Sequence, residues 1–258
     1  MTYEFIEYSV TNRVATITLN RPDAMNAMNK GMRDDLCAGI DSATSDEDVR
    51  IIVINGNGKS FCAGPDLAEV ANASCLYDLI EDDYKRIFAR LLSSSKPVIA
   101  AVNGATAGVG ASITLACDLI IMGENAFLFL AFANMGLIPD GGICWQLARQ
   151  LGAKRAYQLI AEAARIPAQD CVDWGLANKV VADDCLLSEA QTWAERLTRS
   201  APLTMKYSKH VLQQAMNAEY MDTMRMESGI QQMCYKTEDS KEAIKAFFEK
   251  REPVFIGK

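Results

Sequence analysis

Asp140 stands between Pro139 and the pair Gly141-Gly142, and upstream the run Gly104-Ala105-Thr106-Ala107-Gly108-Val109-Gly110-Ala111 places small residues where an apolar strand gives way to a helix. A carboxylate can take up and return a proton, and amides left open in the first turn of a helix can hold an oxygen that gains negative charge. If both turns face one cleft, a single base and exposed amides meet there. Each has a plainer reading. Gly108-Val109-Gly110 lacks the third glycine of a dinucleotide fingerprint and carries Ser112 where that pattern would continue, so the small residues also suit close packing of a helix on a sheet. No GxxxxGK[ST] phosphate loop occurs. Asp140 suits a tight turn, and Asp66, following Pro65, suits the start of a helix whose amides it would stabilise. Cys62 and Cys144 lie near the same turns with no basic neighbour to favour a thiolate. The one histidine, His210, sits in a helical stretch from Met205 to Met216, and a Ser-His-Asp machine or a His-bound metal would rest on it alone.

The elements that must position these residues alternate between strand and helix. Residues 3 to 8 and 13 to 19 read as a hairpin across Thr11-Asn12-Arg13. A helix over Asn29 to Thr44, with Met32, Leu36, Ile40 and Ala43 at helical spacing, then leads to the strand Ile51 to Ile54 as a parallel crossover. A helix enters at Pro65-Asp66-Leu67, another spans Leu76 to Ser93, and Lys96-Pro97 stops it. Val98 to Val102 and Asp118 to Met122 are near-continuous apolar strands of the kind covered on both faces. Phe127 to Phe129 and Lys179 to Val181 are shorter strands. Helices follow Asp140 as far as Leu151, from Ala153 to Ala163 and from Pro167 to Gly175. Beyond Ser188 the chain reads as helices only: Glu189 to Arg199, Leu203 to Met216, Asn217 to Cys234 and Ser240 to Lys250. Their methionines, Met205, Met216, Met221, Met224, Met226 and Met233, need the core or another subunit to cover them.

With 258 residues, half of them apolar, the chain can bury a sizeable core. A net charge of -7 with scattered Lys and Arg argues against a nucleic-acid surface. The start, Met1-Thr2-Tyr3-Glu4-Phe5, has no signal-peptide pattern, and no apolar run approaches the roughly eighteen residues of a membrane span; a cytoplasmic protein is expected. The eight cysteines, Cys37, Cys117, Cys185 and Cys234 among them, show no CxxC pair and are expected as reduced, buried thiols.

Taken together the motifs resemble the enoyl-CoA hydratase/isomerase (crotonase) superfamily over nearly the whole chain. The resemblance rests on Asn20-Arg21-Pro22 with Asn26-Ala27-Met28, Phe61-Cys62-Ala63-Gly64-Pro65-Asp66-Leu67, Lys96 to Gly104, Ala116-Cys117-Asp118, Gly136-Leu137-Ile138-Pro139 and Trp174-Gly175-Leu176. It implies an α/β spiral of repeated β-β-α units over residues 1–187 and a C-terminal helical region, 188–258, that makes trimers or dimers of trimers. It also implies an acyl-CoA ligand bound along Ala63, Gly64, Asp66 and Leu67 and at Gly108 and Gly110, with no metal or redox cofactor. By the resemblance the two amides that hold the thioester oxygen fall on Pro65 and Val109, and proline has no N–H. Loss of one such donor typically costs about 3 kcal/mol, roughly a hundredfold in rate. Either the Asp66 amide takes its place, or activity is low, or the reaction differs. The two glutamates of hydratases fall on Ser112 and Phe132, which disfavours hydration, whereas single-carboxylate isomerases of the family carry their acid at the position of Asp140. The implied reaction is migration of a double bond from 3-enoyl to 2-enoyl; the alternatives are a weak or inactive acyl-CoA binder and hydratase- or dehalogenase-like chemistry.

Overall fold

The computed structural model describes residues 2–258. Strands β1 (Ile6–Thr11) and β2 (Val14–Leu19) pair antiparallel, Ile6 opposite Leu19 and Thr11 opposite Val14. Asn12 (φ 51°) and Arg13 (φ 67°) both turn left-handed, the geometry that matches a two-residue hairpin to strand twist. β1 therefore starts later than alternation suggests and runs to the edge of the turn. Helix α1 (Lys30–Ser45) begins where the Asn29 side chain accepts the Met32 amide at 2.8 Å, and it returns the chain so that β3 (Ile51–Gly56) lies parallel to β2.

From β3 a unit repeats: one strand joins a six-stranded sheet, a short strand joins a four-stranded sheet, and helix follows. β3 and β4 (Ser60–Cys62) lead to α2 (Leu67–Asn72), α3 (Leu76–Asp78), a π-helical turn (Leu79–Tyr84) and α4 (Lys85–Ser93). β5 (Val98–Val102) and β6 (Ala105–Ala107) lead to α5 (Val109–Ala116). β7 (Leu119–Gly123) and β8 (Phe127–Phe129) lead through a 3-10 turn, Ala131–Met135, to α6 (Ile143–Leu151) and α7 (Ala153–Ala161). β9 (Arg165–Pro167), α8 (Ala168–Asp173) and β10 (Lys179–Val181) complete the sheets, in the orders β1-β2-β3-β5-β7-β10 and β4-β6-β8-β9. This is the β-β-α spiral that the resemblance implies. Two helical expectations change in detail: Pro65 lies outside α2, whose first residue is Leu67, and the stretch from Leu76 to Ser93 contains the π turn.

Alternation splits the large sheet between two apolar clusters. Ile52, Ile54, Val98, Ala100, Val102, Ile120 and Met122 join the main core with α1, α4 and α5, while Val14, Ile51, Val53, Ile99, Ala101 and Ile121 face α9 (Leu186–Leu197) through Leu186, Ala190, Trp193 and Ala194. Both faces being covered, the strands read as continuous apolar runs. α9 straddles the division expected at residue 187 and packs on the sheet. Beyond it lie α10 (Pro202–Ala215), α11 (Tyr220–Tyr235) and α12 (Glu238–Glu249). Met205 packs on the α9 cluster, and Met216, Met221, Met224 and Met233 are exposed on the single chain. All eight cysteines are free, but only Cys37, Cys62, Cys117 and Cys171 are buried; Cys75, Cys144 and Cys185 are exposed and Cys234 is half-buried, because they sit at or next to helix ends rather than on core faces. Among the described residues no helix is long and apolar enough to cross a membrane.

Candidate active site

β5 and β6 deliver the chain to Gly108, whose φ of 51° and ψ of −127° suit glycine, and α5 starts at the next residue with no side chain capping it. The first amides of a helix have no carbonyl one turn back, and the Val109 N–H meets no acceptor among the described residues. Opposite lies the loop after β4. Pro65 Cδ is 3.3 Å, and Gly64 Cα 3.6 Å, from the point where a Cβ on Gly108 would stand. In the direction where another residue would present an N–H, Pro65 has this ring carbon.

Asp66 does not replace the lost donor. Its amide is given to the Met28 carbonyl at 3.2 Å, while Met28 gives its own amide to the Gly64 carbonyl at 2.9 Å, so Met28 and Pro65 pair as a short parallel bridge. The Asp66 carboxylate caps α2, accepting the Ala68 amide at 3.1 Å, and takes the Arg21 guanidinium at 3.1 Å. Its plainer reading is the one the structure shows. Ala63 gives its amide to the Met25 carbonyl at 3.0 Å, and Leu67 is exposed at the mouth of this loop. Gly110 belongs to packing: a Cβ there would stand 2.4 Å from the Cys62 carbonyl oxygen. Burial pushes the Cys62 thiol up to about 12, which removes it as a nucleophile.

The Met28 carbonyl is a hub that sequence reasoning passed over. It also accepts Arg33 Nη1 at 3.2 Å and the Tyr84 hydroxyl at 3.4 Å. Arg33 is 1 % exposed, paired with Glu69 of α2 at 2.7 and 2.8 Å and with Asp83 of the π turn at 2.8 Å, its guanidinium 5.0 Å from the centre of the Tyr84 ring. One charge thus ties α1, α2 and the π turn to Met28, which pairs with Pro65 in the loop after β4. A signal was present: Arg33 shares a helical face with Cys37 and Ile40, where an apolar residue belongs.

On the other side of α5 stands Asp140. Its Oδ1 is buried with no hydrogen-bond partner, and burial pushes its carboxyl above the ordinary carboxylate value against a weaker opposing pull from its own amide. The Ser112 hydroxyl lies 3.2 Å from the Asp140 carbonyl. Gly141, at φ 58°, is wedged so tightly that a Cβ would stand 2.6 Å from both Ser112 Cβ and Phe88 Cζ. Tyr84 lies near enough to Asp140 to feel its charge. Ser112 and Phe132, the residues on which the resemblance puts the hydratase glutamates, are buried against this loop and in the main core, and neither supplies a titrating acid. The turns of Pro65, Val109 and Asp140 thus come together around the start of α5, with one open amide and one buried, unpaired carboxylate oxygen. His210 takes no part: it lines a 440 Å³ groove between α4 and α10 with Leu92, Lys206 and Gln213.

The model of a family described as enoyl-CoA hydratase/isomerase matches residues 9–258. A probable enoyl-CoA hydratase of Rhodobacter capsulatus is 34% identical over 259 residues, covering 100% of both chains. The 1,2-epoxyphenylacetyl-CoA isomerase of Escherichia coli is 34% identical over 260 residues, covering 99% of each. Among solved structures, an enoyl-CoA hydratase subunit of Geobacillus kaustophilus superposes with a TM-score of 0.94 at 32% identity over 99% of each chain. Hydratases and isomerases match equally well, so identity does not choose between them, and what the comparisons carry is membership: this chain belongs to the enoyl-CoA hydratase/isomerase family of the crotonase superfamily.

Proposed function

We propose that the protein moves a double bond in an enoyl-CoA thioester, 3-enoyl to 2-enoyl, with Asp140 as its single acid-base group. The supporting observation is the buried, unpartnered Asp140 Oδ1; Ser112 and Phe132, on which the resemblance puts the two hydratase acids, are both buried and neither titrates as an acid. The thioester oxygen sits on the Val109 N–H at the start of α5, where the helix dipole adds to the hold on developing charge. Asp140 takes the proton from C2 and returns it at C4, so one group serves both carbons and no water is activated. Desolvation makes the carboxylate a stronger base than it is in water, which suits removal of a weakly acidic proton. The CoA moiety lies along Ala63 to Leu67, and the exposed methionines of α11 serve contacts between subunits in a trimer or a dimer of trimers.

Pro65 favours a second reading, a crotonase-fold acyl-CoA binder of low or no turnover, because the Asp66 amide is already engaged with Met28. An absorbance assay with a panel of 3-enoyl- and 2-enoyl-CoA esters, beside calorimetry with a saturated acyl-CoA, separates the two. Conversion of 3-enoyl to 2-enoyl ester without hydroxyacyl product is the expected result. Tight binding with no conversion supports the binder, and hydroxyacyl product contradicts the proposal.

A further inference from the structure

Ser112 lies one helical turn beyond Val109, and its side chain is buried between the two halves of the site. A hydroxyl carries one hydrogen, and two carbonyls compete for this one: Gly108 at 3.3 Å and Asp140 at 3.2 Å. The Gly108 carbonyl belongs to the same peptide unit as the Val109 N–H, so a hydrogen bond to that oxygen polarises the unit and strengthens the amide at its other end. The Asp140 carbonyl belongs to the residue that carries the base. Gly141 closes the arrangement from behind, its Cα backed against Ser112 and Phe88 with no room for a side chain.

Resting on the isomerase reading above, we infer that Ser112 is a positioning residue: its hydroxyl sets the spacing between the Val109 amide and the Asp140 carboxyl and polarises the one peptide that holds the thioester oxygen. With Pro65 contributing no N–H, that peptide carries the whole oxyanion interaction, so its polarisation matters more than it would beside a second donor. Ser112 touches no reacting atom in this assignment. Its one hydrogen, shared between the Gly108 and Asp140 carbonyls, acts through backbone on both sides.

The test is Ser112→Ala, which removes one oxygen from a buried site and opens little space; a thermal melt confirms that the variant is folded. Two readouts are compared with wild type: kcat for the 3-enoyl ester, and the thioester carbonyl stretch of a bound 2-enoyl-CoA measured by difference infrared spectroscopy. The expected outcome is a fall in kcat of about tenfold, the usual worth of one hydrogen bond. It is accompanied by a smaller carbonyl red shift and by little change in the Kd of a saturated acyl-CoA. An unchanged carbonyl band overturns the inference whatever happens to the rate, since a merely structural serine would leave that band alone. If wild-type protein isomerises none of the esters, the function proposed above fails by itself, and the carbonyl shift of the bound ligand still decides the role of Ser112.

Discussion

The base side and the oxyanion side of the site are built to different degrees. Around Asp140, Gly141 is wedged against Ser112 and Phe88, and one carboxylate oxygen, Oδ1, is left buried with no partner. Around Pro65 the backbone is held as firmly, by Met28 on both sides and Arg33 behind it, yet the loop presents a ring carbon where the proposed reaction calls for an amide. Rigidity and chemistry are separable. A loop can be fixed in place by a buried arginine and a backbone bridge and still lack the donor, because hydrogen-bonding capacity is set by residue type and position by everything around it.

The largest expected effect comes from breaking the base side. Asp140→Asn should lower kcat for double-bond migration by about 10³-fold, within the usual range for a general base, while the Kd of a saturated acyl-CoA changes by about twofold or less. The same variant should be more stable than wild type near pH 7. A carboxyl whose folded pKa is raised favours folding in its protonated form, so its contribution is fully present below the unfolded value of 3.8 and is lost as pH rises through the higher folded value. Chemical denaturation at acid and neutral pH should therefore show the gain at neutral pH and not at low pH.

Repairing the oxyanion side sharpens the contrast. Pro65→Ala returns an N–H beside Val109 and should raise kcat by as much as about a hundredfold, the worth of one oxyanion donor, measured in the same assay. No gain would mean that a single amide already carries the charge and that the two sides are less unequal than their geometry suggests. A smaller and mainly structural effect is expected from Gly141→Ala, where a Cβ would collide with Ser112 and Phe88 at a backbone angle that alanine resists; a loss of about 1 to 3 kcal/mol in denaturation, with reduced kcat, is the outcome.

How much of this was readable depended on whether a feature is local. β3, β5 and β7 announced themselves as apolar runs, since both their faces are covered. β4, β6 and β9 did not: at three residues each, Ser-Phe-Cys, Ala-Thr-Ala and Arg-Ile-Pro lack the second aromatic or β-branched residue that marked the equally short β8 and β10. The missing donor at Pro65 was visible in the sequence, for proline lacks an N–H in any context. Whether Asp66 could replace it was not, because the carbonyl that claims its amide is Met28, remote along the chain. Asp140 was legible as a candidate from its turn, but its burial and its contact with Ser112 arise only when α5 and the loop before α6 pack together. Arg33 left a trace as a charge on an apolar helix face, without any sign that Glu69 and Asp83 would answer it.

On the proposed function the partly buried Asp140 carboxyl carries the proton from C2 to C4. Its most direct test is the fate of deuterium in a 3-enoyl-CoA labelled at C2, followed by mass spectrometry and NMR of the 2-enoyl product formed in ordinary water during a single turnover. Measurable deuterium at C4, delivered by the Asp140 carboxyl before it exchanges with water, is the predicted result. Product formed at full rate with no deuterium at C4, by wild type and Asp140→Asn alike, would contradict it.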